Sequence, residues 1–200
     1  MDNNAMYQLS YGLYVLTAKD GDKDNGCIIN TAMQVTSDPN QILIVVNKQN
    51  YTHDIIKKTG LFNVCVLSQE APFETFKNWG YQSGREHDKV VGITYKRAEN
   101  GVIYLTNNTT AYISGTVISS MDVGTHTMFL ALVTDASTLS EEEAITYTFY
   151  QNNVKPAPVK QEGKKGYICT ICGYVYENDV LPDDFICPIC KHGVADFKKL

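Results

Sequence analysis

The amino-acid sequence predicts a mainly β protein, built as an antiparallel barrel and followed by a small metal-binding module. Three observations carry this prediction. Strand-like stretches rich in branched and aromatic residues, with turn residues between them, fill residues 1–150. Four of the six cysteines crowd the last 32 of the 200 residues as two Cys-x-x-Cys pairs. A polar stretch with two prolines separates the two regions.

The barrel is predicted from seven strands. Closing them into a mostly antiparallel barrel is the natural way to leave no strand edge exposed. The strands are predicted at residues 11–17, 27–36, 42–47, 62–67, 93–96, 111–121 and 128–134.

Two short helices interrupt the strands. Thr52 is predicted to N-cap the first, which has Asp54 in its first turn and ends at Gly60. Ser140 and Glu143 have the spacing of a capping box, but the strand-like ITYTFY that follows limits any helix there to about one turn.

The segment QNNVKPAPVKQEGKK has the composition of a flexible linker, with four lysines and one glutamate. Basic and acidic residues number 10 and 16 before it (net -6), 4 and 1 within it (+3), and 3 and 5 after it (-2), which gives the chain total of -5. We therefore predict a barrel domain at 1–150, a linker at 151–165 and a metal-binding domain at 166–200.

Charge and composition exclude several roles. A net charge of -5 without a basic cluster argues against nucleic-acid binding. The uncharged run at 101–121 contains asparagines, threonines and serines, so it cannot span a membrane as a helix. The N-terminal sequence MDNN has no secretory pattern, so we expect a cytoplasmic protein with reduced cysteines.

The two cysteine pairs predict a four-thiolate metal site. Each Cys-x-x-Cys turn lets two sulfurs face one centre, and two turns complete a tetrahedron without an open position for substrate. Such a site transfers electrons or holds a fold together, and spacing alone fits both iron and zinc. The ligands are Cys169, Cys172, Cys187 and Cys190, with 14 residues between the pairs.

Residues 167–197 resemble the short rubredoxin found at the end of rubrerythrins. The resemblance rests on CTICGYVY, LPDDF before CPIC, and a late Asp-Phe. It implies one redox-active iron beside an aromatic core of Tyr167, Tyr174, Phe185 and Phe197. Lys191 stands where a glycine is usual, which could alter N–H to sulfur bonds and the redox potential.

Residues 9–150 resemble the flavin reductase family, which folds as an FMN-binding split barrel. Several segments carry the resemblance in the family's order: LSYGLYVLT, NGCIINTAMQVTSDP, NKQNYTH, FNVCVLS, SGREHDK and GTH. A polar strand suits a flat heteroaromatic ring, and a helix start suits a phosphate.

The resemblance also implies site residues. It places Asn30, Thr31, Gln34, Val35, Thr36 and Ser37 near the isoalloxazine ring and ribityl chain, and Asn47, Lys48 and Thr52 near the phosphate. It places Ser83, Gly84, Arg85 and Lys89 in a loop over the flavin, and His126, the catalytic candidate, beside the ring where the hydride donor stacks. The family usually has Asp where Thr125 stands, so the orientation of His126 and the nicotinamide preference stay open.

Taken one at a time, these residues also fit ordinary structural roles. The polar strand fits a half-solvated strand, the helix start an ordinary cap, and a lone histidine a structural side chain. Cys27 and Cys65 are expected to be buried small hydrophobes, because no basic residue beside them in sequence would stabilise a thiolate.

Together the resemblances imply an FMN-dependent NAD(P)H oxidoreductase. NADH or NADPH would reduce FMN, FMN would pass single electrons to the iron, and the iron would reduce a redox protein such as a flavodiiron oxygen or nitric oxide reductase. The family implies a homodimer. Two alternatives stay open: a flavoredoxin-like electron carrier without nicotinamide activity, and a non-redox interaction protein with structural zinc.

Overall fold

The structure is a computed structural model that describes residues 2–156, 166–170, 173–188 and 193–200. Two of the four predicted metal ligands, Cys172 and Cys190, lie outside the described residues, as do Lys191 and most of the predicted linker.

Residues 2–156 form an antiparallel sheet with short helices. A 3-10 helix (Asn3–Gln8) precedes the first strand, and a π-helical turn (Tyr150–Val154) ends the region. The strands are β1 (Tyr14–Asp20), β2 (Lys23–Ile29), β3 (Ala32–Ser37), β4 (Asn40–Asn47), β5 (Leu61–Leu67), β6 (Tyr95–Arg97), β7 (Ile103–Leu105), β8 (Thr109–Asp122) and β9 (His126–Thr138). The helices are α1 (Tyr51–Thr59), α2 (Phe73–Gly80) and α3 (Tyr147–Phe149).

Seven of these strands form one sheet in the order β2-β1-β5-β8-β9-β4-β3, while β6 and β7 pair separately. The two edge strands, β2 and β3, are consecutive in sequence and joined only by Asn30 and Thr31. A two-residue connection between opposite edges requires the sheet to roll up until its edges lie side by side. The result is the predicted mainly β barrel, with an opening where the edges meet.

Two clusters of buried side chains fill the barrel region. One lies inside the sheet around Phe62, Ile44 and Phe129. The other packs α2 and the C-terminal helical turn against β1 and β5, around Trp79, Phe76 and Tyr150. Cys65 and Cys27 are buried in these clusters, as predicted.

The predicted metal-binding domain at 166–200, called the metal ribbon below, has three short strands. They are β10 (Tyr167–Cys169), β11 (Val175–Tyr176) and β12 (Phe197–Lys199), in the order β11-β10-β12. A 3-10 turn (Val194–Asp196) leads into β12. Of the predicted aromatic core, the rings of Tyr174, Phe185 and Phe197 pack together. Tyr176, which is not among the four predicted aromatic residues, also packs on Phe185, with ring centroids 4.5 Å apart.

Several local predictions were wrong. The predicted strand at 27–36 is two strands on opposite edges of the sheet, because the chain leaves one edge at Asn30. The cap of α1 is Asn50, not Thr52, and Gly60 ends the helix in the left-handed conformation as predicted. No helical turn follows Ser140, and the strand-like residues 145–150 run instead into α3 and the π-helical turn. Within the described ranges, no helix has both the length and the apolar character needed to cross a membrane.

Candidate functional site

A cleft opens beside the junction of the two sheet edges. Its larger part is a cavity of about 350 Å³, within the size range of small-molecule sites, and a smaller space of about 60 Å³ adjoins it. Both parts are lined by Cys27, Asn47, Asn50 and Gly80, so they form one cleft.

The polar wall of the larger part comes from the β2–β3 connection and the end of β4. Asn30 and Thr31 line it, and the Thr31 hydroxyl donates to Asn30 Oδ1 at 3.0 Å. The Val45 backbone N–H donates to Thr31 O at 3.1 Å, which fixes the connection against β4. The short connection that closes the sheet therefore also positions two predicted site residues.

His126 lines the same cavity from the first position of β9, where it pairs in register with Asn47. Its Nδ1 and the Thr125 hydroxyl share a hydrogen bond of 2.8 Å. Partial burial lowers the pKa of His126 below its ordinary value of 6.5, so the imidazole is uncharged at neutral pH. An uncharged ring can lie beside a reacting group without adding a positive charge.

An aromatic wall, absent from the sequence predictions, completes the larger part. Phe76, Tyr81, Tyr147 and Tyr150 line it. The Tyr81 and Tyr150 hydroxyls share a 2.7 Å hydrogen bond, and the ring of Tyr150 lies 4.4 Å from that of Phe76. Tyr147 and Tyr150 belong to the sequence ITYTFY, which was predicted to be a strand. Because the segment is helical instead, the two tyrosines lie on one face, which a strand prediction does not indicate.

The smaller part of the cleft contains a buried cation. Lys89 is 4% exposed, and its Nζ donates to the backbone carbonyls of Gly26 and Trp79, each at 3.0 Å. Burial lowers the pKa of Lys89. In the described part of the chain no carboxylate lies within 4 Å of this ammonium. A buried charge without a countercharge is costly, so an anionic group in the adjoining space would stabilise it.

The start of α1 and the loop before Lys89 face the same space. Thr52, fully buried, accepts a 2.9 Å hydrogen bond from Asn25 Nδ2, and both line the space with Ser83 and Gly84. A Cβ on Gly84 would lie 1.9 Å from Asn25 Oδ1, so only glycine lets the loop approach this closely. The His53 backbone N–H donates to Asn50 O at 3.0 Å, which leaves the backbone N–H groups of Tyr51 and Thr52, at the start of α1, to bind an anion here.

The structure does not bring all predicted residues to the cleft. Arg85 forms an ion pair with Asp54 and stacks over Tyr51 at 4.9 Å, and it faces a separate shallow depression. Lys48 pairs with Asp122 at 2.6 Å. Four predicted residues lie on the edge strand β3, outside the cleft lining: Gln34, Val35, Thr36 and Ser37.

Within the metal ribbon, Cys169 and Cys187 are both fully buried. Cys169 ends β10, where its backbone N–H donates to Tyr174 O and its carbonyl accepts from Gly173 N–H, each at 2.8 Å. These bonds form the tight turn that a Cys-x-x-Cys knuckle requires. Two buried thiols, each three residues from another cysteine in sequence, are a donor set that fits iron or zinc.

Comparison with known families divides the chain into two parts. The family described as "Flavin reductase like domain" matches residues 6–158. The family described as "Rubrerythrin, rubredoxin-like domain" matches residues 167–198. Both matches agree with the resemblances found in the sequence motifs.

Individual relatives extend this finding. A high molecular weight rubredoxin of Moorella thermoacetica is 39% identical, and the alignment covers both chains completely. A ferric-chelate reductase (NAD(P)H) of Archaeoglobus fulgidus is 40% identical over 75% of this chain and 89% of its own. The crystal structure of a flavoredoxin from Methanosarcina acetivorans shares the fold, with a TM-score of 0.61 and 21% identity over 69% of this chain and 73% of that one.

Proposed function

This chain belongs to the flavin reductase-like family and carries a rubredoxin-like domain at its C-terminal end, and from that membership we propose how it works. It is a flavin-dependent oxidoreductase. We propose that FMN occupies the cleft, that NADH or NADPH reduces it, and that its electrons pass to one iron bound by Cys169, Cys172, Cys187 and Cys190. A redox protein is the final acceptor.

The observation that carries the proposal is the buried ammonium of Lys89 at the narrow end of the cleft. It has two carbonyl partners at 3.0 Å and a depressed pKa, so an FMN phosphate beside it would supply the missing negative charge. Thr52 and the start of α1 add N–H donors on the other side of the same space. A space of about 60 Å³ suits one phosphate, which favours FMN over a dinucleotide.

The wider end of the cleft fits the flavin ring. Asn30 and Thr31 offer amide and hydroxyl groups along one wall, and Tyr147 and Tyr150 offer flat apolar faces along another. His126 also lines this space, as an uncharged ring. We assign it the role of orienting the nicotinamide.

The flavin would accept two electrons as a hydride and release them singly, and the iron would carry one at a time. The chain's own residues keep the ring away from water and place the donor on one side of it. The four thiolates prevent the iron from binding small molecules, so the ribbon transfers only electrons.

The proposal is tested by visible spectroscopy of anaerobically purified protein, with iron and zinc analysis, during titration with limiting NADH and then NADPH. We expect flavin and ferric-thiolate bands, both bleached by a nicotinamide. Bands that stay unchanged would identify an electron carrier with another donor. A colourless protein with one zinc per chain would identify a non-redox scaffold.

The Cys187→Ser variant separates the two steps. It removes one iron ligand and leaves the cleft untouched, so nicotinamide should still bleach the flavin band while the iron band is missing. Loss of flavin reduction in this variant would contradict the proposed order of transfer.

We propose a homodimer formed through one apolar surface. Large apolar side chains are exposed on β3 and on the β8–β9 hairpin. These strands lie in the same half of the sheet, where the order is β8-β9-β4-β3. The exposed side chains are Met33, Val35, Ile118, Met121, Val123 and Leu132. Contiguous exposed apolar side chains usually mark an interface.

Analytical ultracentrifugation tests this interface. Met121→Asp should sediment as a monomer, whereas Val91→Asp, which changes an exposed valine elsewhere, should still sediment as a dimer.

We propose the cytoplasm as the location, because a four-thiolate iron site needs reducing surroundings.

We propose a flavodiiron oxygen or nitric oxide reductase as the acceptor, since fusions of a flavin reductase-like domain with a rubredoxin-like domain suggest it. The purified protein with NADH should reduce such an acceptor, and the Cys187→Ser variant should not.

A further inference from the structure

Lys155 contacts both the flavin cleft and the metal ribbon. Lys155 is one of the residues that line the larger part of the cleft. Its Nζ donates a 3.0 Å hydrogen bond to the backbone carbonyl of Thr170. Thr170 directly follows Cys169, so this carbonyl lies inside the first Cys-x-x-Cys turn.

The cleft side of this contact is firmly held. Tyr150 is 5% exposed, packs on Phe76 and bonds to the Tyr81 hydroxyl at 2.7 Å. The backbone N–H of Lys155 donates to Tyr150 O at 2.8 Å and so closes the π-helical turn. Lys155 therefore extends from a turn that is anchored in the barrel core.

The ribbon side is held as well. The backbone N–H and the hydroxyl of Thr170 both donate to Asp196 O, at 2.7 and 2.9 Å. Both Lys155 and Thr170 are half-buried, which strengthens a hydrogen bond from an ammonium to a carbonyl. A bond between two rigid partners fixes one body against the other.

We propose that Lys155 is a positioning residue that docks the metal ribbon at the mouth of the cleft of its own chain. The flavin's electrons then leave to the iron of the same subunit rather than to that of a partner subunit. This inference rests on the proposed function and adds the route within it.

The transfer balances with one named acceptor. From the two-electron-reduced flavin FMNH⁻, one electron would reduce ferric iron to ferrous iron, and the iron would pass this electron to the one-electron-accepting redox protein. A second cycle would remove the second electron, release the proton of FMNH⁻ to solvent and restore oxidised FMN.

The experiment compares the parent protein with Lys155→Met, Lys155→Arg and Lys198→Met. Lys198 is an exposed lysine on β12, so its substitution removes one positive charge, as Lys155→Met does, without touching the contact. A light flash reduces the flavin with a sacrificial donor, which bypasses the nicotinamide step, and the bleaching of the iron band is followed. Small-angle X-ray scattering of the same proteins reports whether the ribbon stays docked.

We expect Lys155→Met to slow iron reduction about tenfold, since one hydrogen bond from a charged group commonly changes a docking equilibrium by that factor. Its radius of gyration should increase. Lys155→Arg keeps a cationic donor and should restore both values, and Lys198→Met should match the parent. Equal rates and equal radii for Lys155→Met and the parent would overturn the docking.

A heterodimer decides which subunit receives the electron. One subunit carries Cys187→Ser and the other Lys155→Met, so the only iron belongs to the subunit without the docking lysine. Slow reduction supports docking within one chain, and reduction at the parent rate overturns it. A parent protein whose photoreduced flavin never reduces the iron would overturn the proposed function itself, which the Lys155 variants alone cannot do.

Discussion

At the scale of single residues, the proposed binding of FMN depends most on Lys89. A lysine that is 4% exposed and that bonds, among the described residues, only to two backbone carbonyls is costly to bury, and an anion beside it would offset that cost. The family resemblance predicted Lys89 as a flavin-binding residue. Its burial and its contacts with Gly26 and Trp79 could not be predicted, because they come from packing between segments distant in sequence. Charge alone did not separate it from Arg85, which the structure pairs with Asp54 instead.

Replacing this ammonium should affect the phosphate specifically. Lys89→Met keeps the length of the side chain and removes the charge, so the dissociation constant for FMN should rise about tenfold to a hundredfold. Riboflavin, which lacks the phosphate, should bind the parent and the variant equally well. Fluorescence titration with both flavins measures this, with Lys96→Met on β6 as the exposed control. Equal losses for the two flavins would indicate a general packing defect.

The imidazole of His126 predicts an acidic limit on activity. Burial lowers its pKa, so the ring takes up a proton only below pH 6.5. The nicotinamide ring becomes positively charged as hydride leaves, and a neighbouring imidazolium would oppose this. The rate constant of flavin reduction should therefore fall as the pH falls below 6.5, and His126→Asn should remove this decrease. Stopped-flow reduction between pH 5 and 8 measures both profiles, and an acid limb that survives in the variant would contradict the assignment.

At the scale of elements, the sequence predicted β4, β5, β8 and β9 because branched and aromatic residues dominate each of them. It missed the break between β2 and β3. Asn30 and Thr31 are compatible with a strand by local propensity, and only closure of the sheet requires the chain to leave one edge there. The π-helical turn was missed for a related reason: Tyr147 and Tyr150 favour strands locally, whereas packing against Phe76 selects a helix.

The close approach of the Gly84 loop to β2 gives a prediction about these elements. In Gly84→Ala the new Cβ would overlap Asn25 Oδ1, and Asn25 is held by its bond to Thr52. Relieving the overlap should cost about 1–3 kcal/mol of stability and displace the start of α1, so FMN affinity should fall too. Urea unfolding and flavin titration measure the two effects.

Gly193→Ala is the matched control, because a Cβ there meets no atom of the described residues within 4 Å and its φ of -85° suits any residue. Parent-like FMN affinity and stability in Gly84→Ala would mean that the loop has room to retreat from β2.

At the scale of the whole molecule, the motifs predicted two parts and the chemistry of each, and the mainly β fold and both family resemblances are confirmed. Boundaries at 150 and 165 stay predictions. Linker composition could not indicate that Gln151 and Lys155 belong to the wall of the cleft, because both are polar and only their neighbours Tyr150 and Val154 pack on the core.

Two truncations test where the barrel region ends. Its two buried clusters use no described residue beyond Val154, so a chain ending at Pro156 should fold, bind FMN and oxidise NADH without delivering electrons to the redox partner. A chain ending at Tyr150 loses Val154 and the backbone bond from Lys155 to Tyr150 O, and with them part of the cleft wall. It should melt roughly 2–4 °C lower for each 1 kcal/mol lost and bind FMN more weakly.

Thermal unfolding and flavin titration of both truncated chains and of the full-length protein show whether residues 151–156 contribute to stability and to FMN binding. Identical melting and affinity for the two truncations would mean that the π-helical turn contributes nothing to the cleft. Undiminished reduction of the redox partner by the chain ending at Pro156 would mean that electrons bypass the metal ribbon. Weakening that is confined to the shorter chain would place the end of the flavin-binding unit between residues 151 and 156, the segment that contains the proposed docking residue Lys155.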